Sequence, residues 1–489
     1  MKELLIGWSE ADITPQTDKK IALYGQYYAR TATGIHSPLK CVAAAFDSGE
    51  EQFITASLDL VNFQQDLHRK IRALAASMEP EICPEKIFLN AIHTHTGPSA
   101  TSTGLSDVWR ERDKEVLSPE EYIEYLVPIA AQTLADAWHN RRKGGILRAF
   151  GNARIGHCRR AVYNNGKAEM YGDTTRSDFI GMEAGEDSGV EMLFTLDEKG
   201  KKTGMFLNVA CPAQVMEATC RISSDFAGRT RELLKEEFGP SFRTIYQISP
   251  AGCQSPRDLV RHYATEPDFW HEDGVEVLAG RLLEAVRKAD FSTPEYSPEL
   301  KHTSLHVTLP RRRATYPEYV KAKEELARLV AVMPEAEAFR EFCKETHAKE
   351  ALSGPGPYDS KLHHFVLIKN QQALIRRYEE QDKDPFLGFD MNVVRLGDIA
   401  IATNPFELYL YYGQIIKARS KALQTFLVQL AAGGDHPCGY LPSPDGERFG
   451  GYGGLIINGQ VGSEGGYQLA DITVKEINRL FEDGKEEKA

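Results

Sequence analysis

The chain has 489 residues, 42% of them hydrophobic, enough for one large catalytic domain or two to three smaller ones with a sizeable core. Lys plus Arg number 58 against 70 Asp plus Glu, a formal charge of -12. That balance argues against a general nucleic-acid binder or a protein held on an anionic membrane.

No run reaches the ~20 apolar residues of a membrane-spanning helix. The opening Met1-Lys2-Glu3-Leu4-Leu5-Ile6-Gly7 lacks the apolar core of a signal peptide and enters strand-like sequence almost at once. The eight cysteines are scattered without a CxxC pair, the pattern of reduced thiols in a cytoplasm rather than of a disulfide framework. A cytoplasmic location is the expectation.

Short strand-like runs then alternate with amphipathic helical segments. Residues 42–46, 53–60 and 87–90 read as strands, with a helix over 67–78 between the last two. Ser118-Pro119-Glu120-Glu121 has the form of a capping box with proline at the first helical position. It predicts a helix toward Trp138 that Pro128 interrupts. Strands are expected at 205–209 and 244–248, separated by a helix over 226–238 that Gly239-Pro240 closes. Residues 316–347 are charged and helical, Gly354-Pro355-Gly356-Pro357 marks a loop, and 367–381 is helical again. Residues 393–402 return to strand and 406–419 to helix. With no repeat and no independent linker, the expected fold class is mixed α/β. One large domain over 1–489 would hold central mixed sheets flanked by helices, with a helical excursion near 310–385.

The residues that carry chemistry follow the strand ends. Ile92-His93-Thr94-His95-Thr96-Gly97-Pro98 follows the third strand. Alternate residues of a strand share a face, so a continuing strand would turn His93 and His95 the same way before Gly97-Pro98 breaks it. Neutral imidazole is a common metal ligand and the usual acid or base near neutral pH, although two hydrogen-bonded loop histidines would look the same. Cys211 reads as a small buried hydrophobe or, as a thiolate, a zinc ligand. The loop Ser249-Pro250-Ala251-Gly252-Cys253-Gln254-Ser255-Pro256-Arg257 is tight enough to bring backbone N–H groups to a substrate oxygen, with Ser255 as nucleophile or donor. It is not a GxSxG elbow.

Glu407, in Pro405-Phe406-Glu407, reads as a first-turn carboxylate of a helix or as a hard oxygen ligand. Cys158-Arg159-Arg160 offers exposed charge or a guanidinium fork for a carbonyl. Gly439-Tyr440 and Gly451-Tyr452 set two phenols on glycine-flanked backbone. In open α/β sheets the loops leaving the strand carboxyl ends build one site, and these clusters are consistent with a single pocket.

Together these segments resemble the neutral/alkaline non-lysosomal ceramidase family over nearly the whole chain. The resemblance starts at Ala11-Asp12-Ile13-Thr14-Pro15 and runs through Gly34-Ile35-His36-Ser37-Pro38-Leu39, Ser57-Leu58-Asp59 and the His-Thr-His-Thr-Gly-Pro segment. It continues through Ile222-Ser223-Ser224-Asp225, Ala251 to Pro256, Asn404-Pro405-Phe406-Glu407 and Gly439-Tyr440. The set is specific in order and spacing, although no single piece is.

The resemblance implies a ceramidase-like catalytic domain and a zinc-dependent hydrolase of amide-type bonds. It implies His93, Glu407 and Tyr440 as zinc ligands, His95, Arg159 and Tyr452 around the scissile carbonyl, and Ser255 as nucleophile or substrate contact. A metal-activated water is the other attacking group, with His95 as acid or base and Arg159 or Tyr452 stabilising the oxyanion.

The family's second ligand histidine falls on Cys211 in a gap-free match to Asp225. Either Cys211 joins the metal as a thiolate, or His436 in Asp435-His436-Pro437 substitutes, or zinc is lost. The C-terminal immunoglobulin-like domain of ceramidases is expected to be absent, since the sequence ends soon after these motifs. A small polar amide or ester is therefore the expected substrate, with no nucleic-acid partner and the oligomeric state left open. A true neutral ceramidase, cleaving N-acylsphingosine, is the same-class alternative. A non-catalytic binding protein with a degraded metal site is the alternative of another class.

Overall fold

A computed structural model describes residues 3–25, 30–62, 64–101, 108, 114–261, 270–351, 363–431 and 438–482. Two packed sheets organise it. The larger is built on β1 (Leu4–Asp12), β2 (Lys40–Asp47), β3 (Gln52–Leu58), β4 (Ile87–Ala91), β5 (Arg142–Asn152), β6 (Gly189–Asp197), β7 (Lys202–Val209) and β8 (Arg243–Ile248). Their spatial order is β8-β7-β6-β5-β1-β2-β3-β4, with the short strand Asp290–Phe291 added against β5. Pairing is antiparallel except for β3/β4 and β7/β8, the parallel pairs at the two ends. The second, four-stranded sheet runs β9 (Leu300–Pro310), β10 (Phe386–Leu396), β11 (Ile399–Thr403), β12 (Gln424–Val428), and β11/β12 is parallel.

The alternation of side chains along each strand assigns its residues to two cores. In β2, Cys41, Ala43 and Ala45 face one apolar cluster, while Val42, Ala44 and Phe46 face another. The first cluster packs the large sheet against helices Gln65–Met78, Pro119–His139, Asp225–Phe238 and His271–Arg287. The second lies between the sheets, where Phe46, Phe53, Phe88 and Phe206 meet Ile399, Ile401, Phe426 and Val428. Beyond β11, Ala400 and Ala402 pack on helices Leu410–Arg419 and Ser463–Leu480. The layers are thus helices, sheet, sheet, helices: a mixed α/β fold with a large mixed sheet flanked by helices.

Several expected elements differ in extent for identifiable reasons. The apolar run 393–402 is two strands of a hairpin, because Gly397 takes a left-handed φ of 59° and reverses the chain before Ile399. The charged helical stretch breaks at Pro334 into Tyr316–Val332 and Glu335–Ala348, and with His364–Glu380 it lies between β9 and β10. The Gly354–Pro357 loop falls outside the described residues. Pro128 is carried inside the helix Pro119–His139, whose capping box at Ser118 and Glu121 forms as its sequence implies. Among the described residues no helix is long and apolar enough to cross a membrane.

His68, on the helix Gln65–Met78, is wholly buried, and burial pushes its imidazole down to about 3, helped by Arg72. The folded pKa lies below the unfolded value, so the unfolded chain binds the extra proton between pH 6.5 and that value and stability falls as pH falls. In urea titrations the wild type is expected to lose stability relative to His68→Leu by about 1.4 kcal/mol per pH unit between pH 6 and 4. Parallel stability curves would refute the assignment.

Candidate functional site

Main-chain hydrogen bonds bind the segments leaving β4, β7, β8, β11 and β12 to one another. Ala213 N donates to Ile92 O (3.1 Å), Ser249 N to Val209 O (2.9 Å) and Gln429 N to Ile248 O (3.0 Å). Leu430 N donates to Phe406 O (3.2 Å), Ala91 N to Leu430 O (3.2 Å) and Gly252 N to Leu408 O (2.8 Å). The Gln429 side-chain oxygen accepts from both Ala251 N and Leu408 N, each at 3.0 Å. A Cβ on Gly252 would sit 2.3 Å from Glu407 O, so only glycine permits this approach. These strand ends, expected from sequence to share a pocket, are physically one cluster.

The two histidines meet without strand geometry. The strand ends at Ala91, and His93 adopts φ 63°, in the left-handed region. His93 N donates to Leu60 O (2.9 Å) and Nδ1 lies 2.7 Å from Val61 O, the geometry of an Nδ1–H donor. That contact fixes the tautomer and leaves Nε2 with a lone pair, 3.6 Å from Glu407 Oε2. The rings of His93 and His95 meet edge to face, centroids 4.7 Å apart. Burial is the main cause of both imidazoles staying neutral: His93 is pushed down to about 4 and His95 to about 3.

Glu407 is likewise not at a helix start. Glu407–Leu408 is a short strand pairing in parallel with Tyr440–Leu441, and Glu407 is the register partner of Tyr440. The helix begins only at Leu410. Cross-strand pairing therefore brings carboxylate and phenol together, and the carboxylate combines with burial to push the Tyr440 hydroxyl well up. Arg159 is buried, not surface charge. Its Nη2 donates to Gly252 O and to the Tyr440 hydroxyl, both at 3.0 Å, and lies 3.9 Å from Glu407 Oε2. Tyr452 packs edge-on to Tyr440, centroids 5.5 Å apart.

The remaining expected residues make hydrogen bonds of their own beside this group. Ser255 is fully buried in a short strand with Gln254, facing His157 across the Cys158 strand, and its Oγ accepts from Arg257 N (2.9 Å). The Cys211 thiol reaches the Ile155 and Pro212 carbonyls at 3.5 and 3.6 Å, and burial pushes its pKa well up. His436 lies outside the described residues. Among the described residues no group of three or more His, Cys, Asp or Glu is arranged to hold a metal. His93, Glu407 and Tyr440 together nonetheless offer one nitrogen and two oxygen donors.

Residues that sequence reasoning passed over complete the site. Glu217 is fully buried, with Oε2 3.0 Å from His95 Nδ1. Burial raises its carboxyl to about 8, against the downward pull of Arg159, Arg30 and Arg257. Arg30 bonds Thr219 O (2.5 Å) and His95 O (2.6 Å), clamping the Glu217 segment to the His95 segment. Gly25, at φ 123°, lies so close that a Cβ there would be 2.6 Å from His95 Cγ. The signal for Glu217 was a lone carboxylate in the apolar run Val215-Met216-Glu217-Ala218.

No family model and no curated protein matches the chain. Solved structures do. A ceramidase complexed with C2 superposes with a TM-score of 0.64 at 16% identity, covering 97% of this chain and 74% of that one. The neutral ceramidase from Pseudomonas aeruginosa gives 0.63 at 16% identity, covering 98% and 75%. The fold is the neutral-ceramidase fold. The sequence resemblance and the architecture therefore agree on it across almost the whole chain.

Arg160, next to the site, binds Glu183 (2.5 Å) inside the protein and donates to the carbonyls of Gly450 (2.5 Å) and Tyr452, anchoring the loop that carries Tyr452. Arg160→Met leaves the Glu183 carboxyl buried without its cation and should cost about 3–5 kcal/mol. Arg328→Met, removing an exposed ion pair with Glu325, should cost far less. Comparable urea midpoints for the two variants would contradict this account.

Proposed function

We propose that this protein hydrolyses an amide or ester bond in a small, polar substrate. The observation that carries the reading is the convergence of His93, His95, Arg159, Glu407 and Tyr440 at the joined strand ends of a neutral-ceramidase fold. None of these polar groups is needed to fill the apolar cores, and burying them is costly unless they are paired.

In this reading His95 is the acid and base. It takes a proton from the attacking water as the C–O bond forms, then gives it to the leaving nitrogen or oxygen as the scissile bond breaks. Arg159, with Tyr452 beside Tyr440, supports the developing oxyanion. Ser255, whose Oγ is buried and already holds the Arg257 N–H, serves the loop rather than the attack.

His93 Nε2, Glu407 and Tyr440 are the proposed ligands of a zinc ion, matching the usual catalytic set of three protein donors with one position left for water or substrate. When bound, zinc would polarise the carbonyl and lower the pKa of a water. Cys211 keeps its proton against the backbone carbonyls and stays outside the set.

Purified protein offered a panel of short amides and esters should turn over at least one. His95→Asn is expected to lower kcat by about 10²–10⁴ and Arg159→Met by about 10²–10³. Comparable turnover of a ceramide in detergent would move the substrate assignment to a true ceramidase. Failure on every substrate, with intact folding, would favour the binding-protein reading.

Elemental analysis should find zinc in the wild type and in Cys211→Ser, and its loss in His93→Ala and Glu407→Gln. Protein that neither contains nor takes up zinc would remove the metal from the proposal.

A further inference from the structure

We infer that Glu217 is the positioning residue of His95: its buried carboxyl grips the ring at Nδ1, so that Nε2 is the nitrogen offered to a substrate. This rests on the hydrolase reading for its purpose, but not for its geometry. The carboxyl oxygen lies 3.0 Å from Nδ1, and both residues sit in the interior. The contact is oblique rather than in line, as dyads often are before substrate tightens them.

What surrounds Glu217 fixes where its carboxyl stands. Asp225, itself left-handed at φ 56°, accepts from Met216 N (2.8 Å) and from Phe226 N (2.8 Å), pinning the backbone immediately before Glu217. Thr219 Oγ1 closes the same turn onto Met216 O (2.9 Å). Tyr171, at φ 55°, receives Gln214 Nε2 on its hydroxyl (2.8 Å) and bonds Arg159 O through its own N–H (2.7 Å). Tyr171 also pulls the Glu217 carboxyl down against burial.

Arg30 then ties this turn to the main chain of His95 itself. Two non-glycine residues in left-handed backbone, at a cost of order 1 kcal/mol or more each, mark a segment whose geometry the fold over-determines. A fully buried carboxyl placed only for packing would be replaced at lower cost by an apolar side chain. Its position against one ring nitrogen gives it a task. A carboxyl partner on one ring nitrogen sets the ring's tautomer and its orientation, as in carboxylate–histidine pairs generally.

The test uses the full-length protein labelled with [¹⁵N]histidine, with His95→Asn to assign the His95 signals. At one fixed pH the wild type should show His95 as a single neutral tautomer, with one hydrogen-bonded ring nitrogen. Glu217→Ala should shift the His95 nitrogens toward a mixture of tautomers, and Glu217→Gln, of the same size and still able to hydrogen-bond, should restore most of the wild-type pattern. Kinetically, Glu217→Ala should lower kcat at least tenfold with KM changed less than about threefold, and Glu217→Gln should recover part of it.

Unchanged His95 shifts in a folded Glu217→Ala protein would overturn the inference. If that variant does not fold, Glu217→Gln decides alone: exchanging the carboxyl for an amide should move the His95 Nδ1 shift while the ring keeps one tautomer, and an unmoved Nδ1 shift in a folded protein refutes it. The tautomer is read without any substrate, so a wild type that hydrolyses nothing would sink the hydrolase reading while leaving this one standing.

Discussion

The site depends on main-chain hydrogen bonds between chain segments that have just left their strands. Parallel pairs β3/β4, β7/β8 and β11/β12 deliver those segments, and Gln429 joins the loop of one sheet to the loop of the other with a single amide oxygen. Because the contacts are backbone to backbone, the arrangement is indifferent to most side chains. That freedom allows the side chains at the junction to be chosen for chemistry. It also explains why two sheets with separate outer cores act as one body: their shared apolar layer sets the distance, and the loops above it set the register.

Desolvation is the second constraint. Arg30, Arg159 and Glu217 are all buried within the same cluster. Water is replaced there by carbonyls, a phenol and opposing charges. Arg159 donates to Gly252 O and Tyr440, and Arg30 to Thr219 O and His95 O. Electrostatic interactions in such a setting are stronger than at the surface, and the same burial keeps His93 and His95 neutral. Neutral imidazole is the form that can accept a proton or donate a lone pair, so the fold prepares both rings before any ligand arrives.

Much of this was legible in the sequence because it is local. The strand at 87–90, the helix over 226–238 and the capping box at Ser118 follow from short-range patterning, and the order of the strand-end motifs carried the resemblance to ceramidases. What was not legible depends on pairing between distant segments. Pro405-Phe406-Glu407 looked like a helix start because its own residues suit one, yet a parallel partner thirty-odd residues on makes it a strand. His93 and His95 were expected to share a strand face, but a left-handed residue joins the two rings by a different route. The strands β5, β6 and β9 and the helix Ser463–Leu480 gave no motif to notice, since their role is packing.

Glu217 shows where sequence reasoning stops in physical terms. A carboxylate flanked by valine, methionine and alanine is an anomaly on hydrophobicity alone, but the sequence does not say which group it answers. The answer lies more than a hundred residues upstream, at His95, and is held by Arg30, which contacts both segments through main-chain carbonyls. The surroundings of one side chain are thereby set by backbone conformation in a segment far from it in sequence. A substitution at Gly25 would disturb His95 from outside its own segment, since the missing Cβ gives the ring its clearance.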